Sequence, residues 1–228
     1  MKTLKLSLLL IFTIIVGGAS AQTQLVKDLK KGKDRTLVIY GTSIAKLGNG
    51  LLWVKEVGDV LNKKYANHLT VLNKGGSGRN SEWATVNIND SVLVNNPDAV
   101  IIEFSVNDAV DRFDISPDQS VKNTQYLIDQ IKKQNPKAEV ILMVVASNPI
   151  GEAKSKRTDL GAYIKKYHEL AKSNKLQLIN FEPIWDKMIK EKGEKEMRRY
   201  LHDGVHSTKK GALEIIAPTV IDSLESGK

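Results

Sequence analysis

The chain has 228 residues, 41% of them hydrophobic, and a formal net charge of +8 at neutral pH. A chain of this length can bury a large core within one domain. Because it contains no cysteine, disulfides and a lipid-modified N-terminal cysteine are excluded, and the fold must depend on its core alone. Basic and acidic residues are interspersed, as in residues 187–199, which is typical of a solvated helix face and argues against a nucleic-acid partner.

The N-terminus has the pattern of an export signal. Two lysines precede an apolar run over residues 6–16, and Ala19-Ser20-Ala21 then supplies the small residues that signal peptidases cut after. A membrane anchor is the alternative, but the run is short for crossing a bilayer. We therefore predict a signal peptide over residues 1–21, a domain over residues 22–228 with its core at about 35–226, and an exported protein, periplasmic or secreted, that keeps no stable membrane anchor.

Taken in chain order, short apolar runs alternate with segments of helical periodicity. The runs predict strands at residues 35–40, 69–73, 99–104, 139–145 and 176–181. The periodic segments predict helices at residues 51–66, 81–94, 116–134 and 158–173 and from Ser207 onward. Ser116 and Pro117 suit the N-cap and first position of the third of these helices, and Gln119 is placed to close a capping box.

The composition of the strands indicates how the sheet is covered. Strands that are apolar at nearly every position are typical of parallel sheets buried on both faces. Alternating strands and helices, without an internal repeat or a break in composition, indicate a single α/β domain. The sequence therefore predicts a three-layer α/β/α domain with a central, mostly parallel five-stranded sheet.

Four polar islands carry the chemistry of the chain. Gly41-Thr42-Ser43, residues 73–80 and residues 105–108 each follow a predicted strand, and residues 203–206 lie near the C-terminus. In parallel α/β sheets, ligands bind beyond the carboxyl ends of the strands. Together the islands supply a hydroxyl, a base, a carboxylate and hydrogen-bond donors, which is the inventory for ester hydrolysis through a serine nucleophile.

Ser43, Asp203 and His206 are the candidate catalytic residues. A serine hydroxyl needs an adjacent base, and two intervening residues let the Asp203 carboxylate meet and orient the His206 ring. Ser43 could instead merely cap a helix. The sequence His202-Asp203-x-x-His206 also resembles the zinc motif His-Glu-x-x-His, but that motif needs a helix, which Gly204 disfavours. We expect no metal and no organic cofactor.

Gly78 and Asn107 are the candidate partners of the developing oxyanion. The Asn107 amide and the backbone N–H groups of Gly78 and Ser43 would donate to it, and a glycine allows close approach. A plain glycine-rich turn, or a phosphate loop, is the alternative at residues 75–78. The lysine–serine pair of a phosphate loop does not follow.

The order of these islands resembles the SGNH hydrolases, also called GDSL esterases. Residues 73–80 resemble the glycine block of that family, Val106-Asn107-Asp108 its asparagine block, and Asp203-x-x-His206 its terminal block. The resemblance implies the flavodoxin-like fold of the family, with Gly78 as the oxyanion glycine. Two positions depart from the pattern: Thr42 stands where an aspartate is usual, and Ser105 where a glycine is usual.

We therefore predict an exported serine esterase that uses a Ser-His-Asp mechanism, an acetylesterase acting on acylated carbohydrate, with a small-molecule or polysaccharide ester as its partner. A lysophospholipase or thioesterase, and a non-catalytic glycan-binding module, are the alternatives. An α/β-hydrolase is disfavoured because its nucleophile lies in Gly-x-Ser-x-Gly, whereas this chain has Gly-x-Ser-x-Ala. The predicted substrate contacts are Thr42, Asn80, Trp83, Asp108 and Val205.

Two sets of side chains near the islands have competing interpretations. Trp53, Trp83 and Tyr40 could stack on sugar rings, but we favour core packing. Basic residues could draw acidic polymers to the mouth of the site, but we favour a solvated rim. The basic set consists of Arg79, Arg112, Lys154, Lys156 and Arg157.

Overall fold

The computed structural model describes residues 22–227. The predicted signal peptide therefore lies outside the described residues. Within residues 22–227, none of the helices combines the length and hydropathy needed to cross a bilayer.

Five parallel strands form one sheet in the order β2-β1-β3-β4-β5. Each strand ends within one residue of its predicted limits, because its apolar run is short and bounded by polar or turn residues. The predicted five-stranded parallel sheet is confirmed. The strands are β1 (Arg35–Gly41), β2 (Leu69–Asn73), β3 (Ala99–Glu103), β4 (Glu139–Val144) and β5 (Gln177–Asn180).

Helices connect the strands and cover the sheet. The longer ones are α1 (Gln24–Leu29), α3 (Gly50–Lys64), α4 (Ser81–Ser91), α6 (Pro117–Gln134), α8 (Leu160–Asn174), α9 (Glu182–Met197) and α11 (Ala217–Ser226). Single turns form α2 (Ser43–Lys46), α5 (Ser105–Asp108), α7 (Glu152–Ser155) and α10 (Lys209–Gly211). A π-helical segment, Ala212–Ile216, joins α10 to α11, and 3-10 turns cover Leu93–Asn95 and Asp111–Phe113.

Alternate residues of each strand bury against opposite helical layers, as the pleat requires. On one face, Leu37 and Ile39 of β1 pack with apolar residues of α1, α3, α9 and α11. On the other face, Val38 and Tyr40 pack with α4, α6 and α8. The predicted three-layer α/β/α architecture is therefore confirmed.

The start of α6 confirms the predicted N-cap and contradicts the predicted capping box. The Ser116 hydroxyl accepts the Gln119 N–H at 3.1 Å, and Pro117 occupies the first turn, as predicted. The Gln119 amide does not complete the capping box. It donates instead to Asn123 one turn further on, at 2.7 Å, so that part of the prediction is wrong.

The packed structure begins earlier in the chain than the predicted core. The Thr23 hydroxyl caps α1 and donates to the Leu224 carbonyl at 2.7 Å. Leu25, Val26 and Leu29 of α1 are buried. The two ends of the described chain are therefore held together on one face of the sheet.

The strand order positions the functional site. β1 lies between β2 and β3, so the chain leaves the carboxyl ends of β1 and β3 toward different neighbours. Such a switch point opens a crevice where loops from adjacent strands diverge. Ser43 follows β1 and Asn107 follows β3, so both lie at this crevice.

Candidate active site

Ser43 lies in a tight turn at the carboxyl end of β1, where it begins α2. The Thr42 hydroxyl caps this turn by accepting the Ile44 N–H at 3.3 Å. Two side chains brace the turn from outside: the Trp53 indole donates to the Ile44 carbonyl at 2.8 Å, and the Asn73 amide donates to the Ala45 carbonyl at 2.7 Å. The Ser43 side chain is thereby held at the floor of the crevice.

Asp203 and His206 share a tight loop closed by an antiparallel bridge between Leu201 and Ser207. Gly204 has a φ of +78°, and a Cβ atom there would collide with the Asn148 carbonyl oxygen. Only glycine fits both conditions. The loop is not helical, so the helix that the zinc-motif alternative requires is absent.

The structure brings the three predicted catalytic side chains into one hydrogen-bonded row. Ser43 Oγ lies 3.0 Å from His206 Nε2, across 163 residues of chain. His206 Nδ1 lies 2.8 Å from Asp203 Oδ2. This is the geometry in which an imidazole can take a hydroxyl proton while a carboxylate stabilises the resulting cation.

The Asp203 carboxylate is held in its ionised form. Burial alone would raise its pKa, but hydrogen bonds from the His206 ring and from the His206 and Val205 N–H groups outweigh burial and hold the pKa below its usual range. The two backbone bonds, at 2.7 and 2.9 Å, both reach Oδ1. Oδ2 is therefore left for the ring, and the carboxylate orients His206 without accepting its proton.

The predicted oxyanion donors line the same cleft of about 520 Å³ as Ser43 and His206. Across residues 22–227, the Ser43 and Gly78 N–H groups donate to no protein acceptor. Gly78 has a φ of +68°, which a glycine adopts without strain. The Asn107 amide gives one N–H to the Arg79 carbonyl at 2.8 Å, which fixes the amide and leaves its second N–H.

Three of the predicted substrate contacts are instead buried structural residues. Thr42 is 0% exposed, and Asp108 and Val205 are each 1% exposed. Asp108 accepts hydrogen bonds from the Ser81 N–H at 2.7 Å and from the Ser120 hydroxyl. Burial raises the pKa of this carboxyl to about 6. These residues support the walls of the site from behind, and the motif pattern did not reveal their burial.

Asn80 and Trp83 also lie outside the residues that line the cleft. The Asn80 side chain caps α4 by accepting the Trp83 N–H at 2.9 Å. The Trp83 ring packs 5.9 Å from the Tyr40 ring, and the Arg79 guanidinium lies 5.4 Å from its centre. Trp53 and Tyr40 are fully buried, which confirms the core-packing interpretation for those two.

Glu103 is the residue of the site that sequence reasoning missed. It ends β3 and is fully buried. One oxygen accepts from the Thr42 N–H at 3.2 Å and hydroxyl at 2.7 Å, and the other has no partner within the described chain. Burial raises the pKa of this carboxyl to about 8. A lone acid at the end of an apolar strand was the available signal in the sequence.

The cleft walls include residues that no motif identified. Apolar contacts come from Leu47, Val110, Phe113 and Ile150, and a cationic one from Arg198. Of the basic set named from the sequence, Arg112, Lys156 and Arg157 line the cleft, whereas Arg79 and Lys154 do not. At the edge of the cleft, which Asp203 and His206 line, the potential ligand atoms of His202, Asp203 and His206 lie within 4.8 Å of one another. Our expectation of a metal-free reaction stays a prediction.

Known structures share this fold at low sequence identity. A structure described as a GDSL-like lipase from Parabacteroides merdae aligns with a TM-score of 0.72 and 18% identity, over 84% of this chain and 96% of its own. A catalytic mutant of Axe2, an acetylxylan esterase from Geobacillus stearothermophilus, aligns with a TM-score of 0.71 and 20% identity, over 86% and 96%. A lipase/acylhydrolase from Enterococcus faecalis gives a TM-score of 0.69 and 22% identity, over 83% and 95%.

The sequence comparisons identify the family of the chain. No curated protein matches the chain significantly. The family model for GDSL-like lipases and acylhydrolases matches residues 39–212, a range that contains every island from the nucleophile turn to the His206 loop. The chain therefore belongs to the GDSL-like lipase/acylhydrolase family, and it is a carboxylic ester hydrolase with the SGNH hydrolase fold.

Proposed function

We propose that this protein is an exported acetylesterase that hydrolyses acylated carbohydrate through Ser43, His206 and Asp203. The single observation that carries the mechanism is the hydrogen-bonded row of these side chains, with distances of 3.0 Å and 2.8 Å. Export rests on the N-terminal sequence pattern.

Acylation begins when His206 Nε2 takes the Ser43 proton and Ser43 Oγ attacks the ester carbonyl carbon. The carbonyl oxygen gains a negative charge and accepts hydrogen bonds from the Ser43 and Gly78 N–H groups and from the free N–H of the Asn107 amide. Asp203 stabilises the charged His206 ring. The ring then gives its proton to the leaving alcohol, and the acyl group remains on Ser43.

Deacylation uses the same groups with water as the nucleophile. His206 takes a proton from water, the resulting hydroxide attacks the acyl-serine, and the oxyanion donors act a second time. Collapse of this intermediate returns the proton to Ser43 and releases the acid. The donors are fixed beforehand by the nucleophile turn and the Asn107–Arg79 contact, so little reorganisation opposes either step.

Two observations support a carbohydrate acetyl ester. Polar and charged residues share the cleft lining with the apolar ones, which suits a hydroxyl-rich alcohol better than a long acyl chain. A neighbour of the same fold, Axe2, is an acetylxylan esterase.

Hydrolysis of p-nitrophenyl esters from acetyl to decanoyl tests the mechanism and the acyl preference together. The chain over residues 22–228 should release p-nitrophenol fastest from acetate, and Ser43→Ala should abolish release. Ser173→Ala is the matched control, because the Ser173 hydroxyl contacts only its own helix α8, where it donates to the Leu170 carbonyl and accepts from the Asn174 amide. A preference for decanoate would favour a lysophospholipase, and no release by the unaltered chain would favour a glycan-binding module.

Export is tested separately. The precursor expressed in a bacterial host should be processed to a form that begins at Gln22, which N-terminal sequencing of the protein outside the cytoplasm would detect. Retention of the intact N-terminus in the cytoplasm would contradict export and leave the esterase mechanism untouched.

A further inference from the structure

Two arginines in the cleft have no acidic partner. Four cations line the cleft, and two of them are neutralised: Lys156 pairs with Glu152, and Arg198 pairs with Glu194 at 2.6 Å. Within the described part of the chain, Arg112 and Arg157 have no carboxylate within the 4.0 Å of an ion pair. The cleft therefore contains two positive charges without counterions, beside the nucleophile.

Arg157 is fixed in place rather than solvated. Its Nε donates to the Val106 carbonyl at 2.7 Å and its Nη1 donates to the Ala153 carbonyl at 3.0 Å. Its Nη2 donates to no acceptor within residues 22–227. Val106 directly precedes Asn107, so the Arg157 guanidinium is hydrogen-bonded to the backbone next to this oxyanion donor.

Arg112 provides the second charge. It lies in the connection between β3 and α6, whereas Arg157 lies in the connection between β4 and α8. Its guanidinium lies 4.9 Å from the centre of the Phe113 ring, and both residues line the cleft. Burial lowers the pKa of Arg157, and the nearby charge of Arg112 lowers it further. An anion bound near both guanidiniums would offset this repulsion.

The acids near Arg157 are already engaged. Asp203, Glu103 and Asp111 lie near enough to raise the pKa of Arg157 when they are ionised. Asp203 is bonded to His206, and Glu103 is buried under Thr42. Asp111 accepts the Thr158 N–H at 3.3 Å and the Thr158 hydroxyl at 3.1 Å. An incoming anion would therefore meet unpaired guanidinium donors.

We propose that Arg112 and Arg157 form a subsite for a carboxylate on the alcohol portion of the substrate, an inference that rests on the proposed esterase function. An acetyl group carries no charge, so the anion must belong to the sugar. Planar guanidinium groups match the two oxygens of a carboxylate. The natural substrate is then an acetylated acidic carbohydrate, that is, a uronic acid with a free carboxylate and an acetyl ester on a sugar hydroxyl. This assignment replaces the solvated-rim interpretation for these two residues.

The test compares two substrates that differ by one carboxylate. An O-acetylated methyl glucuronoside and the corresponding O-acetylated methyl glucoside are hydrolysed in parallel at low salt. We expect kcat/KM to favour the acid about tenfold. Arg112→Gln should bring this ratio toward one, and Arg112→Glu should invert it. Lys165→Gln removes one exposed charge outside the cleft lining and should leave the ratio unchanged.

A second variant tests the half-buried guanidinium of Arg157. Arg157→Lys keeps the charge but loses the planar donors, so the ratio should fall while a thermal melt shows that the fold is retained. Sodium chloride at 0.5 M should lower the ratio for the unaltered chain, because surface-accessible charges are screened.

The outcomes separate the subsite from the esterase. Hydrolysis of p-nitrophenyl acetate with no preference for the acidic sugar would overturn the subsite and leave the esterase standing. A lysophospholipid hydrolysed faster than the acetylated glucuronoside would overturn the assignment to carbohydrate. Failure to hydrolyse any ester would refute the proposed function itself.

Discussion

The buried carboxyl of Glu103 should make the protein less stable as the pH rises. Its pKa is about 8 in the folded protein, against 4.5 for a solvated glutamate. Between these values the folded state binds more protons than the unfolded state, so the free energy of unfolding falls with increasing pH. The stabilisation is fully present below pH 4.5 and is lost as the pH passes about 8.

The magnitude follows from the displacement of the pKa. A rise from 4.5 to about 8 corresponds to about 4 to 5 kcal/mol over the whole window, of which about 4 kcal/mol falls between pH 5 and pH 9. The structural cause is the second carboxylate oxygen, which has no partner in the described chain and is cut off from water. Ionisation at that position is therefore opposed by desolvation.

Glu103→Gln isolates this contribution. The glutamine oxygen can accept both hydrogen bonds from Thr42. The glutamine amide N–H groups then occupy the place of the unpartnered oxygen, and leaving them without acceptors lowers the free energy of unfolding by about 1 to 3 kcal/mol. The variant should therefore be less stable than the unaltered chain at pH 5 and more stable at pH 9. Urea unfolding at both pH values measures the crossover.

The comparison controls for other titrating groups. Asp108 also has a pKa raised by burial, to about 6, but it is present in both proteins, so its own titration largely cancels and only its effect on the pKa of Glu103 remains in the difference. If the two proteins lose equal free energies of unfolding between pH 5 and pH 9, the carboxyl of Glu103 is not held neutral by burial, and the reasoning fails.

Three further substitutions test the site. Asn107→Ala should lower kcat for p-nitrophenyl acetate about a hundredfold or more, since one oxyanion donor is lost. The control Asn89→Ala, on the exposed face of α4, should leave kcat unchanged. Equal activities of the two variants would show that Asn107 is not part of the oxyanion hole. Asp203→Asn should lower kcat about 10⁴-fold by favouring the wrong His206 tautomer, and a loss under tenfold would contradict that role. Gly204→Ala should lower the melting temperature and the activity together, because of the contact with Asn148; a melting temperature equal to that of the unaltered chain would show that the loop tolerates a side chain.

Local pattern was enough to predict the sheet. The five apolar runs are short and have clear boundaries, and burial on both faces leaves a continuous apolar signature, which is why each strand was found. The Ser116 cap was also read from adjacent residues. The Gln119 contact was not, because a glutamine side chain can reach either the cap or the next turn, and the presence of Asn123 decided between them.

The site was predictable in its motif residues and not in its supporting residues. Family resemblance placed Ser43 and His206 in one site, although 163 residues separate them. The same resemblance said nothing about which neighbours face the cleft, so Asp108 and Val205 were assigned to the substrate although the fold buries them. The pairing of Glu103 with Thr42 depends on strand register, which adjacent sequence does not encode.

The contact between the His206 loop and the segment that enters α7 limits how this enzyme can be redesigned. The Ile150 N–H donates to the Asp203 carbonyl at 2.8 Å, and the Asn148 carbonyl abuts Gly204. Ile150 and the first residues of α7 are also part of the cleft wall. An insertion that reshapes this wall before residue 151 would shift the acid of the triad, whereas side-chain changes within α7 could alter selectivity with the hydrolytic machinery left in register.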